Sequence, residues 1–231
     1  MKIEIWSDVS CPFCYIGKRH LESALKAYEH RDQVQIEWKS YLLDPTLPDE
    51  TDQNVMEMLS EKKGLSMQQV KQMTHHVEAM GKEAGLNYDF SKPIPVSTYK
   101  AHLLIQLAKQ KGLGEAAEER LFNAYFMEGK NVADTTVLKD FGKKIGLSSD
   151  DLGTLFTDSS LQSKLEADLY EAKTIGLSGV PFFLINDRYA ISGAQPVELF
   201  LKTFEKVSLT EEKVKIKDSE GASCEPDGKC D

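Results

Sequence analysis

At 231 residues the chain has room for one large domain, or for a domain carrying a substantial insert, and two unrelated domains are not required. Its 37 acidic residues against 28 basic ones give a formal charge of −9, which argues against nucleic acid or an anionic membrane as the main partner, because neither attracts an acidic surface. No apolar run approaches the roughly 20 residues that span a bilayer, and the opening MKIEIWSDVS lacks the basic-then-apolar order of an export signal, so a cytoplasmic protein is expected.

In chain order, residues 2–6 alternate with Ile3 and Ile5 on one face, and residues 34–43 run apolar and aromatic through Trp38 and Tyr41; both segments predict strands. Between them Ile16, Leu21, Ala24, Leu25 and Tyr28 recur at three- and four-residue steps, which predicts a helix over 15–28 and makes the start of the chain a βαβ unit. The turn-rich Asp44-Pro45-Thr46-Leu47-Pro48-Asp49 ends it. From 52 to 146 the pattern is helical, with helices predicted near 53–63, 66–84, 97–111, 114–128 and 134–145. Gly64, Gly81, Gly85, Gly112, Gly129 and Gly146 punctuate these segments, and Ser66, Ser97 and Asp134 suit N-caps. A helix near 160–175 leads to Val180-Pro181-Phe182-Phe183-Leu184-Ile185, a turn at Asn186-Asp187-Arg188 and a returning strand over 189–192. That hairpin is followed by a closing helix over 196–206. Residues 207–231 are mostly charged and small and predict a flexible tail, with 214–217 able to pair as a short edge strand.

The four cysteines form two close pairs, Cys11 with Cys14 and Cys224 with Cys230, with none between. In a reducing compartment paired cysteines point to redox catalysis or metal more often than to stapling. Cys11-Pro12-Phe13-Cys14 lies between a strand and a helix, and Pro12 suits the first helical turn because its missing N–H would be unpaired there anyway. A three-residue separation on a helical turn puts both sulfurs on one side, at a spacing a disulfide can close. The first sulfur meets the unsatisfied N–H groups and positive end of the helix, which favours its thiolate; Cys11 is therefore the expected nucleophile and Cys14, one turn deeper, the resolving thiol. Phe13 adds no charge beside them. A structural pair or half a zinc site is the competing reading of the motif. It lacks a second C-x-x-C or a histidine pair at ligand spacing, so no metal is expected; adjacent His75 and His76 fall on different helix faces, and His102 reads as an ordinary core or surface histidine.

Taken together, SDVSCPFCYIG, the long helical stretch, STYKAHLL and GVPFFLINDRYAISGAQP resemble the DsbA-like thiol oxidoreductases of the FrnE branch, over residues 1–206. The resemblance implies an α/β, thioredoxin-like fold built from 1–51 and 147–206, with 52–146 as an all-helical insertion and 207–231 as a flexible tail. It implies a protein disulfide reductase or isomerase acting on protein or small-molecule thiols and disulfides, with no bound cofactor and with glutathione as a redox partner. It further implies that Pro181 is cis and faces the dithiol, and that the backbone of Val180 receives extended substrate. Hydroxychromene-carboxylate isomerases and kappa-class glutathione transferases are similar in length and insert but typically carry serine at the position of Cys11. A hydroxyl there activates glutathione, whereas a thiol can itself be oxidised, so the cysteine pair favours dithiol chemistry and leaves a glutathione-dependent isomerase or transferase as the alternative. Related FrnE-like chains often have asparagine near Ser97, and this chain departs from them there.

In the tail, Glu225-Pro226-Asp227-Gly228-Lys229 carries turn chemistry that can bring Cys224 and Cys230 together. Three readings stand: a second redox pair exchanging with Cys11 and Cys14, a soft-metal cluster with Glu225, Asp227 and Asp231, or incidental cysteines.

Overall fold

Strict alternation makes the central strand β1 (Lys2–Ser7), which directs Ile3 and Ile5 to one face and Glu4 and Trp6 to the other. The computed structural model describes residues 1–219, with side chains through residue 209. After β1 come α1 (Pro12–Ala27), a 3₁₀ turn (Arg31–Gln33), β2 (Gln35–Ser40), α2 (Val55–Lys63), α3 (Met67–Glu83), α4 (Tyr99–Gln110) and α5 (Gly114–Phe126). They are followed by α6 (Thr135–Lys144), α7 (Ser149–Thr154), α8 (Ser159–Thr174), β3 (Phe182–Ile185), β4 (Tyr189–Ser192) and α9 (Val197–Ser219).

The four strands form one sheet in the order β2-β1-β3-β4. β1 and β2 are parallel with Ile5 opposite Trp38, as the connecting α1 requires, while β1 and β3 are antiparallel with Ile5 opposite Phe183. β3 and β4 form a hairpin whose Asn186 and Asp187 have φ of 48° and 53°, the left-handed pair that matches a two-residue turn to strand twist.

Two apolar clusters share the molecule. On one face of the sheet, Ile3, Ile5, Trp38, Phe183 and Ile185 pack against Leu21 and Ala24 of α1 and Phe200 and Phe204 of α9. A larger cluster joins α2 to α8 and takes in Val9, Cys11, Cys14, Tyr15 and Ile16. The first turn of α1 is therefore built into the helical part of the molecule while its later turns belong to the sheet.

Several sequence expectations change in detail. Ser66 and Asp134 cap α3 and α6 through their side chains, whereas Thr98 stands at the start of α4 and the Ser97 hydroxyl only accepts the Tyr99 N–H at 3.3 Å. Gly81 is inside α3, not a break: a Cβ there would sit 2.5 Å from the ring of Tyr88, so the glycine makes room for that ring. The six-residue α7, capped by Ser148, was too short for periodicity to reveal. The closing helix runs to Ser219, past the expected end at residue 206, and residues 214–217 are helical instead of an edge strand. Cys224 and Cys230 lie outside the described residues.

Candidate functional site

The site begins where β1 ends. Asp8 turns the chain: its carbonyl accepts the Cys11 N–H at 2.9 Å, and its carboxylate accepts the N–H groups of Ser10 (3.1 Å) and Leu43 (2.7 Å). Cys11 is the N-cap of α1 with extended backbone and no side-chain cap, and Pro12 follows in the first turn. The Cys14 N–H donates to the Cys11 carbonyl at 3.1 Å, so the two residues close one helical turn. Both thiols are free and both are buried, Cys11 at 3 % and Cys14 at 1 % exposure, while Phe13 between them is 37 % exposed. Burial pushes the Cys14 thiol well up, the neighbouring Cys11 sulfur adds to this, and the Asp8 N–H and Ser7 hydroxyl beside the sulfur oppose it.

Across the motif lies the loop before β3. The Val180–Pro181 bond is cis, and the Cys11 sulfur donates to the Val180 carbonyl at 3.5 Å. Two features hold this loop against α1. Gly17, one turn beyond Cys14, would place a Cβ 3.1 Å from both Pro181 Cγ and Phe183 Cζ, so a bare backbone is what lets the loop approach. The Pro181 carbonyl accepts the N–H of Gly193 at 2.8 Å, and two residues on the Gln195 carbonyl lies 2.8 Å from His20 Nδ1 of α1. Gly193 has φ of +80°, a conformation that favours glycine, and it turns the ISGAQP segment back onto α1.

A third wall comes from the coil between α3 and α4. The Tyr88 hydroxyl donates to the Pro12 carbonyl at 2.7 Å, and its ring packs near Tyr15 (6.3 Å between centroids) and Phe126 (5.0 Å). Burial pushes the Tyr88 phenol up, with the Cys11, Tyr15 and Cys14 charges contributing, so it stays a hydrogen-bond donor. Tyr15 stacks on Phe122 at 4.8 Å and donates to Glu119 at 2.6 Å. Burial acts to raise Glu119, but hydrogen bonds from Arg19, Tyr15 and Lys18 hold it down at about 2. This ion cluster fastens α1 to α5.

The structure thus brings together Cys11, Pro12, Phe13, Cys14, Val180 and Pro181, the residues singled out in the sequence apart from Cys224 and Cys230. Sequence reasoning missed Asp8, Gly17 and Tyr88. Gly17 had a legible signal, since a glycine inside a helix often marks a close approach. Tyr88 had none, because the coil around it has no period. Among the described residues no group of three or more histidine, cysteine or acidic side chains is placed to hold a metal ion.

This architecture is that of a thioredoxin-like domain with a predominantly helical remainder. Residues 2–205 match the family model described as a DSBA-like thioredoxin domain, and the chain belongs to that family. It is 26 % identical over 202 residues to the uncharacterized protein YwbO of Bacillus subtilis, covering 87 % of this chain and 94 % of that one. Its structure is similar to that of a probable DsbA oxidoreductase from Streptomyces coelicolor, with TM-score 0.85, 32 % identity, and coverage of 100 % of this chain and 98 % of the other. The cytosolic disulfide reductase DsbM of Pseudomonas aeruginosa shares the fold at TM-score 0.63 and 16 % identity, over 90 % of this chain and all of that one. No helix among the described residues is long and apolar enough to cross a membrane.

Proposed function

We propose that this protein is a cytosolic thiol:disulfide oxidoreductase, acting as a disulfide reductase or isomerase, in which Cys11 attacks a substrate disulfide and Cys14 resolves the resulting mixed disulfide. The observation that carries the reading is the placement of Cys11: it caps α1 with its sulfur 3.5 Å from the Val180 carbonyl, while Cys14 sits within the first turn behind it. A thiolate at a helix N-terminus is favoured by the free N–H groups and by the helix dipole. Cys14, with its thiol pushed up and its sulfur shielded, suits the second step, which needs only an intramolecular attack. Pro12, Phe13, Val180 and Pro181 form the surface around the attacking sulfur, and the exposed Phe13 ring offers an apolar contact to a substrate. Protein and small-molecule thiols and disulfides are the partners on this reading. Glutathione fits as the redox partner, and a structure of Pseudomonas aeruginosa DsbM with GSH, on the same fold, supports it. Cys224 and Cys230 are assigned as a second redox pair.

A glutathione-dependent isomerase or transferase is the second reading. A 2-hydroxychromene-2-carboxylate isomerase shares the fold at TM-score 0.66 and 12 % identity, and a nucleophile that is 3 % exposed suits a small thiol as well as a protein. The two readings separate in an insulin-reduction assay. On the oxidoreductase reading Cys11→Ser loses insulin reduction, by about a hundredfold or more given the usual contribution of a covalent nucleophile, and Cys14→Ser forms mixed disulfides that it does not resolve. Reduction by Cys11→Ser at near the wild-type rate removes Cys11 from its role, and tight glutathione binding by a protein without dithiol turnover selects the second reading.

A further inference from the structure

A helix leaves its first four main-chain N–H groups without partners inside the helix. In α1 all but one of these are filled or missing. The Cys11 N–H donates to the Asp8 carbonyl at 2.9 Å, Pro12 has no N–H, and the Cys14 N–H donates to the Cys11 carbonyl at 3.1 Å. The Phe13 N–H, at the second helical position, has no hydrogen-bond partner among the described residues. A side chain at the N-cap is placed to accept from the second or third helical N–H, but the Cys11 thiol makes no such bond and donates to the Val180 carbonyl at 3.5 Å instead. A thiolate has no proton to give that carbonyl. Once Cys11 ionises, the open Phe13 N–H is the cap donor left for its sulfur.

The other end of the same peptide unit is occupied. The Pro12 carbonyl accepts the Tyr88 hydroxyl at 2.7 Å. Tyr88 stands in the coil between α3 and α4, and its ring is fixed by Phe90 at 6.0 Å and Phe126 at 5.0 Å between centroids, and by Gly81, where a Cβ would come within 2.5 Å of it. The packing of the ring therefore fixes where the hydroxyl sits. A donor on a peptide carbonyl draws electron density along the amide and makes the N–H of that unit a stronger donor, by about 10 to 30 % for bonds in a chain. It also holds the peptide plane, so that the N–H stays directed at the start of the helix. Of the titratable groups, Cys14 of α1 and Tyr88 of the coil face Cys11; the loop before β3 presents the Val180 carbonyl, an acceptor that repels a thiolate.

We infer that Tyr88 is a positioning residue for the nucleophile: by binding the Pro12 carbonyl it fixes and strengthens the Phe13 N–H as the hydrogen-bond donor to the Cys11 thiolate. The inference rests on the dithiol reading above and adds to it a residue of the α3–α4 coil. Tyr88 acts through the Pro12–Phe13 peptide, on which its hydroxyl is engaged. In the step it serves, Cys11 gives its proton to solvent and its sulfur forms a bond to one sulfur of the substrate disulfide. That disulfide breaks, and the other substrate sulfur leaves as a thiolate with the electron pair; the Cys11 sulfur is oxidised and the leaving sulfur is reduced.

The test follows alkylation of Cys11 by iodoacetamide in the reduced full chain from about pH 4 to about pH 9, with the modified peptides weighed so that Cys11 is read apart from the other cysteines. Tyr88→Phe keeps the ring and loses the hydroxyl. Its rate should fall at least about twofold on the acidic limb of the profile, as one charge-assisted hydrogen bond weakens. At the alkaline end it should match or exceed wild type, because a thiolate held less firmly is more basic and more nucleophilic. Equal rates at every pH overturn the inference, and so does a slowing by one factor at every pH, which is what a merely structural role gives. Should Tyr88→Phe not fold, nuclear magnetic resonance of the wild type decides: the Phe13 amide proton should move downfield as Cys11 ionises, and an amide that does not move overturns the inference. Wild-type protein that forms no mixed disulfide with oxidised glutathione at Cys11 removes the dithiol reading and the inference with it, whereas normal wild-type exchange with Tyr88→Phe alkylated as wild type removes the inference alone.

Discussion

Two buried polar groups draw on α4, and they are made differently. On the face turned toward α8, Asp168 accepts the Ser40 N–H at 2.9 Å and the Gln106 amide at 2.6 Å, with Lys39 at 3.7 Å and Lys109 at 3.6 Å beside it, and its carbonyl accepts the Trp6 indole N–H at 3.2 Å. Lys39 extends the network to Glu4 and Glu171. Just past β1, Asp8 is filled, but His102 of α4, whose Nε2 lies 3.6 Å from Asp8 Oδ1, and Glu118 of α5 keep open atoms. A buried network with its bonds complete fixes elements in place, here β2, α4 and α8. One with open atoms gives up stability.

Breaking the complete network should have the largest effect on folding. Asp168→Ala leaves the buried Ser40 N–H and Gln106 amide without their charged acceptor and removes one counter-charge from Lys39 and Lys109; at about 1.5 to 3 kcal/mol for each hydrogen bond to a charged group it should cost about 3 to 5 kcal/mol in denaturant unfolding, with exchange by the surviving folded protein close to wild type. A loss under about 1 kcal/mol would mean that the network is dispensable. The open group should behave in the opposite way. Burial raises Glu118 from an ordinary 4.5 to about 7, so the fold favours its protonated form. That contribution is complete below about pH 4.5 and is lost as pH rises through about 7, amounting to about 3 kcal/mol. Glu118→Gln, which cannot ionise, should match wild type near pH 4.5 and be more stable by roughly that amount above pH 8. A difference independent of pH would show that the carboxyl does not titrate with folding.

How legible these two groups were follows from what each residue's neighbours along the chain could show. Ile3, Ile5 and Trp38 announced their strands by alternation, Ser66 and Asp134 announced helix starts through cap chemistry, and Cys11-Pro12-Phe13-Cys14 carried its geometry in four adjacent residues. Asp8 comes from a turn far upstream of the consecutive helices α4 and α5 that carry His102 and Glu118, and nothing local distinguishes the three from surface polar residues. His102 falls within a helix whose buried run from Ala101 to Ala108 includes polar Gln106, which blurs the apolar stripe. The length of α9 was hidden for the reverse reason: its last turns carry too little apolar periodicity to separate helix from tail.

Smaller perturbations sharpen the contrast at the dithiol itself. Gly17→Val should push against Pro181 and Phe183 and cost about 1 to 3 kcal/mol by overpacking, with slower disulfide exchange because the Val180 carbonyl moves from the Cys11 sulfur. Unchanged exchange would show that the close approach is incidental. The smallest effect is expected from ending the chain at Ser223, which removes Cys224 and Cys230. If they form a second redox pair, steady-state reductase turnover falls by a few fold, in keeping with an effective concentration on the order of millimolar for a tethered thiol pair, while single-turnover chemistry at Cys11 stays intact. Equal turnover with an unchanged redox state of the Cys11–Cys14 pair would leave those cysteines without a redox role.

The most direct test of the account is to map the adduct formed when Cys14→Ser, reduced and then exposed to oxidised glutathione, is digested and its peptides are weighed. The account predicts a stable glutathione disulfide on Cys11 in that variant and a Cys11–Cys14 disulfide with no retained glutathione in the wild type; an adduct that forms as readily in Cys11→Ser, or no modification of Cys11 at all, would contradict it.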